Sequence, residues 1–120
     1  MSREITISIV MLVKNEEKNI SFCLDAVKSW CNEIIIVDME SNDKTVEIAR
    51  KYTNKIYSHP QIANFDIARS FADQKASSDW VLMLDADELV PYDLSQKLIS
   101  LAKSDTIDVV YIPFKTYMLQ

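Results

Sequence analysis

Polar and apolar residues alternate through Ile5-Thr6-Ile7-Ser8-Ile9, and a continuous apolar run then reaches Val13. This is the pattern of a strand entering a core. Asn15-Glu-Glu-Lys-Asn19 follows, with early acids that suit a helix start. Ile20, Cys23/Leu24, Val27 and Trp30/Cys31 then recur at helical spacing and predict one apolar helix face. Glu33 to Val37 predicts a second buried strand, ending at Asp38. Ser41-Asn42-Asp43 is a polar turn and N-cap cluster, before a short helix from Lys44 to Tyr52 with Val46, Ala49 and Tyr52 inward. Lys55 to Ser58 predicts a weak third strand, stopped by Pro60. Ile62, Phe65, Ala68/Arg69, Ala72 and Ala76 mark a further helix, and Trp80 to Leu84 a buried fourth strand. Tyr92 to Ala102 reads as a helix with Pro91 near its first turn and Leu94, Leu98 and Leu101/Ala102 inward. Thr106 to Pro113 reads as a last strand.

Strand and helix therefore alternate throughout. The fold class is α/β, a Rossmann-like, mostly parallel sheet with helices on both faces and right-handed crossovers. In such sheets ligands bind beyond the carboxyl ends of the strands. The predicted strand ends carry Lys14-Asn15-Glu16, Asp38 with Ser41 and Asp43, Ser58-His59, and Asp85-Ala86-Asp87-Glu88. Three of these bring carboxylates to one edge. Like charge gathered there costs stability unless cations or donors answer it. Asp85 and Asp87, two residues apart behind an apolar strand, point to a divalent cation.

A chain of 120 residues is long enough for one domain with a core and too short for two. Hydrophobic residues at 48% and charged residues at 26% are ordinary for a soluble globular protein. A net charge of −5 argues against binding nucleic acid through a basic surface. The apolar runs Ile9 to Val13 and Trp80 to Leu84 are too short to span a bilayer, and the amino terminus lacks the pattern of a signal peptide. A cytoplasmic location, with room for peripheral membrane attachment, is the expectation. Cys23 and Cys31 fit neither a disulfide framework nor a zinc site and read as free, buried or half-buried thiols. His59 has no companion ligand and reads as a loop or strand-end residue. The chain has no glycine, where average usage of ~7% would give about eight. That excludes the P-loop and the glycine-rich dinucleotide turn, so any phosphate must be held by other means.

Four ordered blocks resemble the family 2 inverting glycosyltransferases, which have the GT-A nucleotide-sugar-binding fold. They are Ile9-Val-Met-Leu-Val-Lys-Asn-Glu-Glu17, Ile34-Ile-Ile-Val-Asp38-Met-Glu-Ser41-Asn-Asp43-Lys-Thr45-Val, Phe65-Asp-Ile-Ala68-Arg69, and Leu84-Asp85-Ala86-Asp87-Glu88. The resemblance covers residues 5 to about 90. It implies that Asp38 reads uracil or another base of the donor nucleotide, and that Glu16 and the backbone near Val13 border the same base and ribose. It implies that Arg69 pairs with diphosphate or base oxygens through its planar fork. Asp85, Ala86 and Asp87 form the DXD element. Asp85 and Asp87 share the ribose and metal work, Asp87 being the better candidate for coordination. Mn²⁺ or Mg²⁺ is the implied cofactor, bridging to the diphosphate of a nucleoside-diphosphate sugar, a UDP-sugar first among them. The acceptor is a saccharide, lipid or protein.

The residues alone leave plainer readings open. Asp38 and Asp43 suit turn and N-cap positions, Arg69 a surface ion pair, and Asp85 and Asp87 a solvated loop. Ser41 and Asp43 read as structural in either case, and Glu88 as a supporting or helix-start acid. Where the family usually has glycine, this chain has Glu40 and Lys44; a positive φ at either costs about 1 kcal/mol. Ser70 stands where the family commonly has Asn. Residues 1–120 are expected to form one partial GT-A domain, the donor-binding part. The catalytic general base is an acid expected beyond residue 120, and uncovered apolar surface would favour self-association. The rival reading is a non-catalytic nucleotide-binding or scaffolding module. A nucleotidyltransferase would need a glycine-rich first loop, and a receiver domain would need paired acids where Lys14-Asn15-Glu16 stand.

Overall fold

A computed structural model of the chain describes residues 5–60, 70 and 74–104. Its elements, in chain order, are β1 (Ile7–Val13), α1 (Ile20–Val27), β2 (Glu33–Asp38), α2 (Thr45–Ala49), β3 (Ile56–Ser58), β4 (Trp80–Met83) and α3 (Tyr92–Ser104). The strands form one sheet in the order β3-β2-β1-β4, and every pair is parallel. The predicted helix through residues 62–76 and the strand Thr106 to Pro113 lie largely or wholly outside the described residues.

Strands β1 and β2 are central and almost wholly buried, as their unbroken apolar runs require. Their register, Ile9 opposite Ile34 and Val10 opposite Ile35, sends alternate side chains to opposite faces. On one face Ile9, Met11, Val13, Ile34 and Ile36 meet Ile20, Cys23, Leu24 and Val27 of α1, Ala49 of α2, and Leu94 and Leu98 of α3. On the other, Val10, Ile35 and Val37 meet Leu12, Tyr57, Ala76 and Met83. Residues such as Ile9 and Ile35 have no exposed surface, and burying each stabilises the fold by about 1.5–3 kcal/mol.

Four expectations need correction. Strand β4 is half-buried, with Val81 exposed, because it forms an edge of the described sheet. Glu16 and Glu17 precede helix α1 instead of forming its first turn; the carbonyl of Glu16 accepts from the amides of Asn19 and Ile20, and the helix runs on from there. Trp30 and Cys31 lie past the end of α1, although both still pack against the core. In the short second helix, Ile48 packs on the core with Ala49 and Tyr52, and Val46 is only half-buried.

The amino-terminal edge of the sheet is stapled by side chains. Asp79 accepts from the amide and hydroxyl of Thr6 at 3.0 Å each, and its own amide donates to the Thr6 hydroxyl at 3.0 Å. These bonds set the start of β4 beside the start of β1. Next to them Glu33, buried at 9% exposure, accepts from the Ser8 hydroxyl at 2.6 Å, from the Ser77 amide and hydroxyl at 3.0 Å each, and from Lys55. Burial alone would raise its pKa. The Lys55 ammonium and the Ser8 and Ser77 donors outweigh burial and hold it down at about 2.

Candidate functional site at the carboxyl edge of the sheet

Because the four described strands are parallel, their carboxyl ends share one edge. Val13 pairs with Asp38, and Asp38 with Ser58. Beyond β4, Leu84 donates to the Val10 carbonyl at 3.0 Å, and the chain then enters Asp85-Ala86-Asp87-Glu88. Of the sequence-predicted residues, Asp38 closes β2 at this edge, and Glu16, Asp85 and Asp87 issue from the loops beyond β1 and β4. Arg69 lies outside the described residues. Val13 keeps its side chain in the core at 1% exposure, and its carbonyl accepts from Met39 at 2.8 Å. Ala86 is likewise buried, at 3% exposure, in the cluster that holds Leu84 and Val90. A small apolar anchor between two acids pins the turn and leaves the carboxylates at its surface.

The loops after β1 and β2 are cross-tied. The amides of Asn15, Glu16 and Glu17 donate in turn to Ser41 Oγ at 2.9 Å, Thr45 Oγ1 at 2.8 Å and Asp43 Oδ2 at 3.3 Å. In the opposite direction, the Asn42 amide donates to Asn15 Oδ1 at 2.7 Å and the Lys44 amide to Glu17 Oε2 at 3.4 Å. Ser41 and Asp43 are thus structural, as their sequence positions suggest. Sequence reasoning missed Asn15, Glu17 and Thr45 as their partners. The pairing of one polar loop with another about 26 residues on has no local signature. Two loop residues take the left-handed conformation: Asn15 at φ 53° and Glu40 at φ 64°. Glu40 is the glycine-like position expected from the sequence; Lys44, at φ −88°, is not. Successive amides in a loop commonly cradle phosphate. Here those of residues 15–17 are already committed to side chains.

The acids of this edge are poorly answered. Asp38, at 6% exposure, accepts from the Ser41 amide at 3.2 Å through Oδ2, while its Oδ1 is buried with no hydrogen-bond partner among the described residues. Glu16 Oε2 is in the same state. Burial raises the pKa of Glu16, a hydrogen bond with Asn19 lowers it, and the charges of Asp87, Asp85 and Asp43 raise it further. Asp85 is exposed by surface area, yet the packing around its carboxyl and then the neighbouring Asp87 raise its pKa. Glu88 is raised by burial and by Asp85 and Asp87, against a lowering bond from the Asp85 amide.

The Asp85 turn is held on both sides. Its amide donates to Glu88 Oε1 at 2.7 Å, and its carbonyl accepts from the Glu88 amide at 2.9 Å and from the Cys23 thiol at 3.6 Å. Cys23 is buried, and burial, followed by the charges of Glu88, Asp87, Asp85 and Glu16, pushes its thiol up to about 12. It is an inert S–H donor here, and Cys31, half-buried, is likewise a free thiol. His59 donates its amide to the Asp38 carbonyl at 2.9 Å and holds Nδ1 2.8 Å from the Pro60 carbonyl, a strand-end role.

Among the described residues no group of three or more His, Cys, Asp or Glu side chains gathers to hold a metal ion. Asp85 and Asp87, two residues apart and close enough for Asp87 to raise the pKa of Asp85, still fit a hard cation that takes its remaining ligands from phosphate and water.

Residues 8–118 match the family described as glycosyl transferase family 2. The chain belongs to that family. It is 40% identical over 92 residues to an uncharacterized glycosyltransferase of Rickettsia typhi, covering 77% of this chain and 30% of the relative. It is 33% identical over 114 residues to the SPbeta prophage-derived glycosyltransferase SunS of Bacillus subtilis, covering 91% of this chain and 27% of SunS. Among solved structures, glucosyl-3-phosphoglycerate synthase from Mycobacterium tuberculosis, in complex with Mg²⁺ and UDP, aligns with TM-score 0.58 and 27% identity. That alignment covers 74% of this chain and 36% of the synthase. S. aureus TarS 1-349 aligns with TM-score 0.68 at 22% identity over 83% of this chain and 33% of TarS, a likeness of fold. The chain thus spans about a third of the length of these relatives. Its α/β sheet is that of the GT-A glycosyltransferases. Among the described residues no helix is long and apolar enough to cross a membrane.

Proposed function

We propose that this chain is the donor-binding part of an inverting glycosyltransferase that uses a nucleoside-diphosphate sugar, a UDP-sugar first among them. The observation that carries the reading is the pair of buried carboxylate oxygens without partners, Asp38 Oδ1 and Glu16 Oε2. An ionised carboxylate is an acceptor only, so each is left for a donor that the described residues do not supply. A pyrimidine N–H at Asp38 and a ribose hydroxyl at Glu16 satisfy both. The committed amides of residues 15–17 argue that this corner takes base and ribose, with the diphosphate answered elsewhere. The M. tuberculosis synthase, at 27% identity, has been solved with Mn²⁺ and UDP-glucose, which supports the same donor class.

Asp85 and Asp87 are assigned to the metal, Ala86 to the floor of the turn, Val13 to the strand end beneath the base, and Arg69 to the diphosphate. Bound Mn²⁺ or Mg²⁺ supplies neutralisation of charge on the departing nucleoside diphosphate. The general base that deprotonates a saccharide, lipid or protein acceptor is assigned to sequence beyond this donor-binding half. The test is a thermal-shift series with UDP, GDP and dTDP, each with and without Mn²⁺. Stabilisation by UDP that grows with Mn²⁺ is expected; a folded sample that responds to none of the three refutes the reading.

A further inference from the structure

We propose that Thr45 is a positioning residue for the nucleotide, its buried hydroxyl setting where the Glu16 loop stands relative to the end of β2, which carries Asp38. The inference rests on the nucleotide-binding reading above and extends it to a residue that reading does not use. Thr45 has no exposed surface, and a hydroxyl buried that deeply is unfavourable unless it is hydrogen-bonded. Valine would fill nearly the same volume without that cost, so the hydroxyl's bonds are what distinguish threonine here. The polarity of those bonds is fixed by chemistry. Burial would raise the pKa of Asp43, but its bonds with Thr45 and with backbone amides together lower it, and as a carboxylate it can only accept. The Thr45 O–H therefore donates to Asp43 Oδ1, which leaves an oxygen lone pair for the Glu16 amide at 2.8 Å.

Capping alone does not account for the arrangement. The Asp43 bond to the Thr45 amide, at 3.0 Å, already answers the start of α2. The Thr45 hydroxyl and the second Asp43 oxygen instead reach the successive amides of Glu16 and Glu17 in the other loop. That loop has no ladder of its own there, and it begins from Asn15 at φ 53°. Asp38 is tied to the same assembly through Ser41, which accepts from Asn15. Of the two unpartnered carboxylate oxygens, one thus sits at the end of β2 and the other on the loop after β1, whose place the Asp43–Thr45 pair helps to fix.

The experiment measures UDP affinity in the presence of Mn²⁺ by titration calorimetry on the full chain, together with amide hydrogen exchange. Thr45→Val should weaken UDP binding by about tenfold and speed exchange at Glu16, whereas Thr45→Ser should stay within about threefold of the parent. Unchanged UDP affinity in a folded Thr45→Val chain overturns the proposal and leaves the nucleotide reading standing. Failure of the parent chain to bind UDP, GDP or dTDP removes both together, and is seen before any variant is made. If Thr45→Val does not fold, Asp43→Ala carries the test: weaker UDP binding with faster exchange at Glu16 and Glu17 supports the proposal, and parental affinity overturns it.

Discussion

Strand β2 opens on one buried acid, Glu33, and closes on another, Asp38. At the opening end both carboxylate oxygens are engaged by an ammonium, two hydroxyls and an amide, and the pKa falls to about 2. At the closing end one oxygen accepts a single amide and the other has no partner among the described residues. The two residues share a strand, a residue class and nearly the same burial. What separates them is whether the fold itself answers the charge. Elsewhere along this edge Glu16, Asp85 and Glu88 all have raised pKa values, through burial first and then, for all three, the charge of Asp87. An acid satisfied by its own chain has a structural task. Acids that the described residues leave unanswered at one edge of the sheet mark the candidate site.

The largest expected separation comes from deleting the answered acid. Glu33→Ala strands Ser8, Ser77 and Lys55, and should lower the free energy of unfolding by about 3 kcal/mol in urea titration. UDP affinity should not change, because the site lies at the other end of the strand. A loss of affinity at constant stability would erase the distinction between the two edges. The converse substitution, Asp38→Asn, keeps an acceptor for Ser41 and removes the charge. It should weaken UDP by tenfold or more in calorimetry while stability holds or rises; destabilisation with UDP affinity intact would make Asp38 a structural residue like Glu33.

The smallest effect is the pH profile. Lowering the pH from 7 first protonates Glu16, Asp85 and Glu88, which bind protons more readily in the fold than in the unfolded chain. Stability should therefore hold or rise slightly. Below the ordinary glutamate value of 4.5 the balance reverses, since Glu33 resists protonation in the fold until about 2. Urea midpoints followed by tryptophan fluorescence should fall across that window, and Glu33→Gln should flatten the fall. A profile that declines steadily from pH 7 would contradict the raised acids.

Much of this was readable in the chain. The runs Ile7–Val13 and Glu33–Asp38 declared themselves as buried strands because continuous apolar residues suit a sheet covered on both faces. The four motif blocks led to the family and to the edge where Asp38 and Asp85 stand. Hydrophobic pattern does not report strand order, so the edge position of β4 was not legible, nor was the half-burial of Trp80 and Leu82. Acidity at Glu16 and Glu17 imitated a helix start, because the same residues suit a loop whose amides are claimed by a distant one. Glu33 gave no signal of its importance; its partners come from 25 residues before it and 44 after it.

The cross-tied loops have a kinetic consequence. A glycine-rich phosphate loop closes around its ligand, and association then includes the time and entropy of ordering it. Here the chain has no glycine, and the two loops are joined side chain to amide before any ligand arrives. The conformational entropy of that corner is lost during folding, so the nucleotide proposed above would meet a preformed contour. On that reading, association would be limited by encounter and orientation, and discrimination among bases would fall to the rate of departure.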